Sequence, residues 1–215
     1  VLPEAEEFAI NELIPAMAKG GFLPLKEKEA IAEKMAYYSG IDASVLLQHN
    51  LDLPTRYFWK ELLRHEGKNI GRLDSRYLGI DKRESGDAPD YSAELTSWLQ
   101  LKFKTDIKYN MFGPVRPWNN ENDNTRDNLR QAMAQNPYLH VMTQSGYYDG
   151  ATTYFAAKYS QWQMDPSGKL RDRFSFKGYR SGHMMYLRRA DLEKANEDIR
   201  DFLKRSNPNG KPAKY

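Results

Sequence analysis

Two short apolar runs, residues 138–143 and 173–179, are separated by a helical pattern over 151–160. A second amphipathic pattern follows over 191–204, with Leu192, Ala195, Ile199 and Leu203 at helical spacing. The second run alternates through Phe174, Phe176 and Tyr179, as a half-buried strand does. A strand, a helix and a strand in that order predict two adjacent parallel strands joined by a crossover, and such crossovers are nearly always right-handed. Ser145-Gly146 closes the first strand in this reading, and the closing helix covers the unit.

Upstream the rhythm is helical. Residues 4–19 carry Phe8, Leu13, Ile14 and Met17 on one side behind an acidic first turn. Pro15 should bend that helix, and Gly20-Gly21 should stop it. Residues 26–39 repeat the pattern with Ile31, Met35 and Tyr38, ending at Gly40. Asp42 reads as the N-cap of a short helix carrying Val45, Leu46 and Leu47, and Thr55 as the cap of the next. Tyr57, Phe58, Leu62 and His65 fall at helical spacing there. Residues 67–89 are rich in Gly, Asp and Arg and read as a long loop. Helices are expected again over 91–103 and 126–135, with Gly113-Pro114 and Pro117 between them. Helices first, then strand–helix–strand–helix, indicates a helical region of residues 1–125 joined to an α/β unit of 126–205. A polar tail of 206–215 is expected to fray.

Composition narrows the function classes. With 40% apolar and 13% aromatic residues the chain can bury a core. A net charge of +3 leaves no nucleic-acid footprint. A mean hydropathy of −0.80 goes with the lack of any apolar stretch near the ~20 residues of a membrane span. The absence of cysteine excludes a disulfide framework, thiolate catalysis and cysteine-ligated metal, but does not fix the compartment.

The chemistry-bearing pattern sits after the two strands. Asp149 follows the first in Ser145-Gly146-Tyr147-Tyr148-Asp149-Gly150, and His183 follows the second in Ser181-Gly182-His183-Met184-Met185. The C-terminal ends of parallel strands open onto one crevice, so the two loops can bring a carboxylate and an imidazole together. Asp before His is the chain order of the later triad members in α/β-hydrolases. A loop Asp ahead of a helical pattern also serves as a cap. Gly71-Arg72-Leu73-Asp74-Ser75-Arg76 offers two arginines that could face a substrate carboxylate, but an internal ion-pair network that orders the loop is the favoured reading. His49 and His65, placed on helices, and His140, placed in a strand, lack the mutual spacing and carboxylate company of a zinc site.

The blocks Tyr147-Tyr148-Asp149-Gly150-Ala151-Thr152, Ser181-Gly182-His183-Met184-Met185-Tyr186-Leu187 and Asn69-Ile70-Gly71-Arg72-Leu73-Asp74-Ser75-Arg76 resemble the bacterial branch of the serine carboxypeptidase family. The resemblance runs over most of this chain but over only the C-terminal half of the family's protein. One departure is that Thr152-Thr153 stands where the family commonly has Thr-Pro. The resemblance implies the C-terminal strands and helices of an α/β-hydrolase fold with a helical cap or lid. It implies Asp149 and His183 as second and third triad members, and Met184 and Tyr148 on the substrate side. It further implies a peptide substrate, no metal or organic cofactor, and a secreted or periplasmic setting.

The family's nucleophile elbow does not occur: no Gly-x-Ser-x-Gly is present, and neither Ser145 nor Ser181 sits on a strand-to-helix elbow. The expected partner is therefore the N-terminal half of the same protein, and the opening Val1-Leu2-Pro3 suits a processed or excised piece. Two further readings stand beside the peptidase. One is a non-catalytic, hydrolase-like module that binds peptide or protein, and the other is an acyltransferase on the same scaffold.

Overall fold

A computed structural model describes residues 1–80, 92–107, 119, 121, 125–207 and 209. The expected loop over 81–89, the Gly113-Pro114 and Pro117 punctuation and the tail beyond 209 lie outside them. The described fold is mixed α/β, mostly helical, with two small sheets. Val1–Asp81 and Arg126–Tyr215 make one compact unit, and Lys82–Thr125 a second.

The first unit opens with α1 (Leu2–Phe8), a π-helical stretch Ala9–Leu13, and α2 (Ile14–Lys19). The wide turns lie just ahead of Pro15, whose missing N–H and bulky ring disfavour a regular ladder at that point. α3 (Leu25–Ser39) ends at Gly40 in the left-handed region. Asp42 caps α4 (Ala43–Gln48), accepting from the Ser44 amide at 2.8 Å. Ala16, Leu23, Ala32, Ile41, Leu46 and Leu51 are buried together as the core of this helical part. Leu51 stands at φ 68°, a strained conformation for a side chain of its size, and is buried in that core. α5 (Thr55–Glu61) begins after Pro54, so Thr55 is its first residue rather than its cap.

The segment read as a loop from Gly67 holds an antiparallel pair, β1 (Lys68–Ile70) and β2 (Leu78–Ile80). Strands of three residues are too short to show alternation, so only the main-chain pairing reveals them. α7 (Thr125–Gln135) leads into β3 (Val141–Gly146). β4 (Phe174–Tyr179) lies parallel to β3, with Val141 opposite Phe174 and Gly146 opposite Tyr179. The strand expected at 138–143 is thus displaced toward the C-terminus. A turn in which Leu139 N–H bonds the Asn136 carbonyl uses up its first residues, and Ser145 and Gly146 belong to the ladder instead of closing it.

α8 (Tyr154–Met164) joins the strands, starting later than the expected residue 151. α9 (Arg189–Ser206) closes the unit. Of its expected apolar stripe only Ala195 is buried: Leu192, Ile199 and Leu203 are exposed, while Asp191 and Asp198 turn inward beside Ala195. Polar anchors dock α9. Asp198 accepts from the Tyr179 hydroxyl at 2.9 Å and pairs with Lys177, both on β4, and Asp191 accepts from the Ser181 hydroxyl. Lys194 and Arg188 pair with the same two carboxylates from within the helix and its cap.

In the second unit α6 (Ser92–Phe103) carries Trp98 edge-on to Phe103. Among the described residues no helix is long and apolar enough to cross a membrane.

Candidate active site

The parallel pair ends at Gly146 and Tyr179, and the chain turns sharply after each. Tyr147 N–H bonds the Tyr179 carbonyl at 2.9 Å, and Tyr148 N–H bonds the Ser181 carbonyl at 3.0 Å. The two loops therefore continue side by side beyond the sheet. That carries Asp149 and His183 to one place: His183 Nδ1 lies 2.8 Å from Asp149 Oδ2. A carboxylate only accepts, so Nδ1 carries a proton, and in the neutral imidazole Nε2 keeps its lone pair.

Asp149 is fixed on every side. Its Oδ1 accepts from the amides of Ala151 (2.8 Å) and Thr152 (3.0 Å), and its Oδ2 accepts from the Thr152 hydroxyl (2.6 Å) as well as His183. Asp149 is thus a turn cap and an imidazole partner at once. The turn it holds occupies residues 149–152, which is why α8 begins only at Tyr154. Burial alone pushes the Asp149 carboxyl up, but the donors from Thr152, His183 and Ala151 outweigh it and hold the group below the ordinary carboxylate range. The Asp149 side chain is only 5% exposed, whereas that of His183 is 46% exposed. The acid is shielded and the imidazole is presented.

Thr152 belongs to the sequence block around Asp149, yet nothing in its spacing shows that its hydroxyl reaches the carboxylate. Its Oγ1 also lies 3.3 Å from His183 Nδ1.

Met184 and Tyr148 flank the pair but line different hollows. Met184 borders a cavity of about 670 Å³ with Leu73, Tyr77, Leu187, Arg76 and Arg188. Tyr148 borders another with Trp59, Tyr154 and Phe155, and the Arg76 guanidinium lies 4.8 Å from its ring centre. The arginine-rich block forms an internal ion pair. Arg76 forks onto Asp74 at 2.9 and 2.5 Å, and Arg72 lies over the Trp59 ring. Ser145 and Ser181 are both buried, and the Ser181 hydroxyl donates to Asp191. Ser181 lines the cavity beside Met184, but its hydroxyl is committed to Asp191.

The remaining histidines stand apart from the pair. His49 follows the last residue of α4, with its ring 5.0 Å from that of Tyr57. His65 lies in a 3-10 turn after α5, because that helix stops at Glu61. His140 directly precedes β3, and burial together with Arg173 and Arg205 lowers its pKa. Among the described residues no group of three or more His, Asp or Glu side chains could hold a metal ion.

No protein-family model matches the chain, and neither a curated protein nor a solved structure does.

Proposed function

We propose that this chain is the Asp–His-bearing part of a serine-type carboxypeptidase built on an α/β-hydrolase fold. The observation that carries the reading is the 2.8 Å contact between His183 Nδ1 and Asp149 Oδ2, made just beyond the C-terminal ends of two adjacent parallel strands. A shielded carboxylate on Nδ1 and a presented imidazole are what a general base needs. The serine comes from a polypeptide segment outside this sequence. Its hydroxyl attacks the carbonyl of the last peptide bond while His183 Nε2 takes the proton. The imidazolium, stabilised by Asp149, returns that proton to the departing amino acid. Water then attacks the acyl-enzyme, with His183 again removing a proton and handing it to the serine oxygen. The cavity beside Met184 receives a side chain of the substrate, and Tyr148 lines a separate hollow on the Asp149 side.

A covering polypeptide is part of the reading. Each strand of the β3–β4 pair has one edge without a described strand beside it, and α9 leaves Leu192, Ile199 and Leu203 exposed. Parallel sheets ordinarily have both faces covered.

The test is release of a free C-terminal amino acid from a blocked dipeptide. The 215-residue chain alone should release none. Co-expression with an upstream segment bearing Gly-x-Ser-x-Gly should restore release, and a serine-directed phosphonylating reagent should label outside residues 1–215. Activity of the purified chain by itself would overturn the external nucleophile. Activity of the assembled enzyme that survives His183→Ala would overturn the proposal altogether.

A further inference from the structure

Between β1 and β2 the chain runs through residues 71–77, a stretch whose apolar contribution is slight because Leu73 and Tyr77 are both exposed. Its main chain nevertheless touches both loops of the candidate site. The Arg72 carbonyl accepts from Gly150 N–H at 3.0 Å, and the Leu73 carbonyl accepts from His183 N–H at 2.7 Å. Ser75 N–H donates to the Tyr148 carbonyl at 2.9 Å, and Arg76 Nη1 donates to the Arg180 carbonyl at 2.9 Å. These bonds bracket Asp149 on both sides and grip the backbone of His183 itself.

The fit has no slack. A Cβ on Gly182 would stand 2.4 Å from the Leu73 carbonyl oxygen and 2.5 Å from the Asp74 Cβ. A Cβ on Gly150 would stand 2.6 Å from Trp59 Nε1 and 3.0 Å from the Arg72 carbonyl oxygen. Glycine at these two positions lets the backbones approach directly. Arg76 then ties the arrangement: one guanidinium holds both oxygens of Asp74, reaches the His183 loop through Arg180, and lies over the Tyr148 ring.

We propose that residues 72–76 form a strap that sets the spacing of the Asp149 and His183 loops, with Arg76 as the positioning residue that locks it. The inference rests on the reading of Asp149–His183 as an orienting pair. A strap bonded to both loops resists their separation while its side chains Leu73 and Arg76 border the cavity beside Met184. Because it buries little apolar surface, loosening it should disturb the spacing more than the fold.

The experiment compares Arg76→Gln, Arg76→Lys and Asp74→Asn with the parent. Hydrogen exchange of the 215-residue chain reads the Gly150 and His183 amides against those of the β3–β4 ladder. Arg76→Gln should speed exchange at the two loop amides by about tenfold while the ladder amides stay put. It should also weaken the low-field proton signal of the His183 ring N–H. Arg76→Lys should restore part of both. In the assembled enzyme, kcat should fall by about 10²-fold, by more than KM rises, since Arg76 also borders the cavity beside Met184. If Arg76→Gln lowers protection everywhere, the milder Asp74→Asn carries the comparison. Loop amides and ring signal unchanged from the parent would overturn the strap, and so would loosened loops with kcat intact. Neither result touches the His183→Ala test, so failure of the strap and failure of the catalytic reading are separable.

Discussion

His183 Nδ1 and Asp149 Oδ2 stand 2.8 Å apart, yet the two side chains differ sharply in environment: the carboxylate is 5% exposed and the imidazole 46%. Asp149 also accepts from two amides and a hydroxyl, so it is immobile, while His183 is held only at one ring nitrogen and at its backbone. That asymmetry suits an acid that orients and a base that meets a substrate.

Asp149→Asn in the assembled enzyme should lower turnover by roughly 10⁴-fold, because an amide favours the wrong imidazole tautomer. His65→Ala and His140→Ala, which lie away from the pair, should leave turnover near the parent value. Steady-state kinetics of the three variants side by side make the comparison.

Thr152→Val removes the hydroxyl that donates to the carboxylate oxygen shared with His183. The Asp149 pKa should then rise toward the ordinary value of about 3.9, and stability should fall by about 1–2 kcal/mol. Thr152→Ser should keep both. Carboxyl-carbon NMR titration and urea unfolding read the two effects.

Acid should destabilise this chain through two carboxylates. Burial raises both, but Asp149 is held low by Thr152, His183 and Ala151, and Asp198 by Tyr179, Lys177 and Lys194. A depressed folded pKa gives stability that is fully present above the unfolded value of about 3.9 and lost as pH falls through the folded value. The urea midpoint should therefore drop between about pH 5 and pH 2, and drop less in Asp198→Asn.

Tyr179→Phe should loosen α9. The Tyr179 hydroxyl donates to Asp198 and accepts from Gln144 at 2.8 Å, and burial with Asp198 nearby pushes its pKa up to about 12, so it stays a donor across ordinary pH. Its loss leaves a buried carboxylate short of a partner and should cost about 1–3 kcal/mol. Thermal melts, with exchange at the α9 amides, check the size and the place.

Much of this was legible in the residues. Asp42 as a cap, the end of α3 at Gly40, and the parallel β3–β4 pair follow from local preference and from the period of the apolar pattern, which act within a few residues. So does the placement of Asp149 and His183 after consecutive strands. What stayed hidden depends on groups brought together over long separations. The β1–β2 pair rests on a main-chain ladder with no side-chain signature. The start of α8 at Tyr154 was decided by Asp149 drawing the amides of Ala151 and Thr152 into its own turn. α9 repeats a stripe of Leu192, Ala195, Ile199 and Leu203, but tertiary hydrogen bonds from Ser181 and Tyr179 turned Asp191 and Asp198 inward, leaving Ala195 as the only buried member of the stripe. The sequence by itself determined which residues are candidates for acid–base chemistry and that they follow consecutive strands. Only the tertiary structure decided that a carboxylate and an imidazole 34 positions apart meet at 2.8 Å, because that distance is set by loop backbones and a strap drawn from another part of the chain.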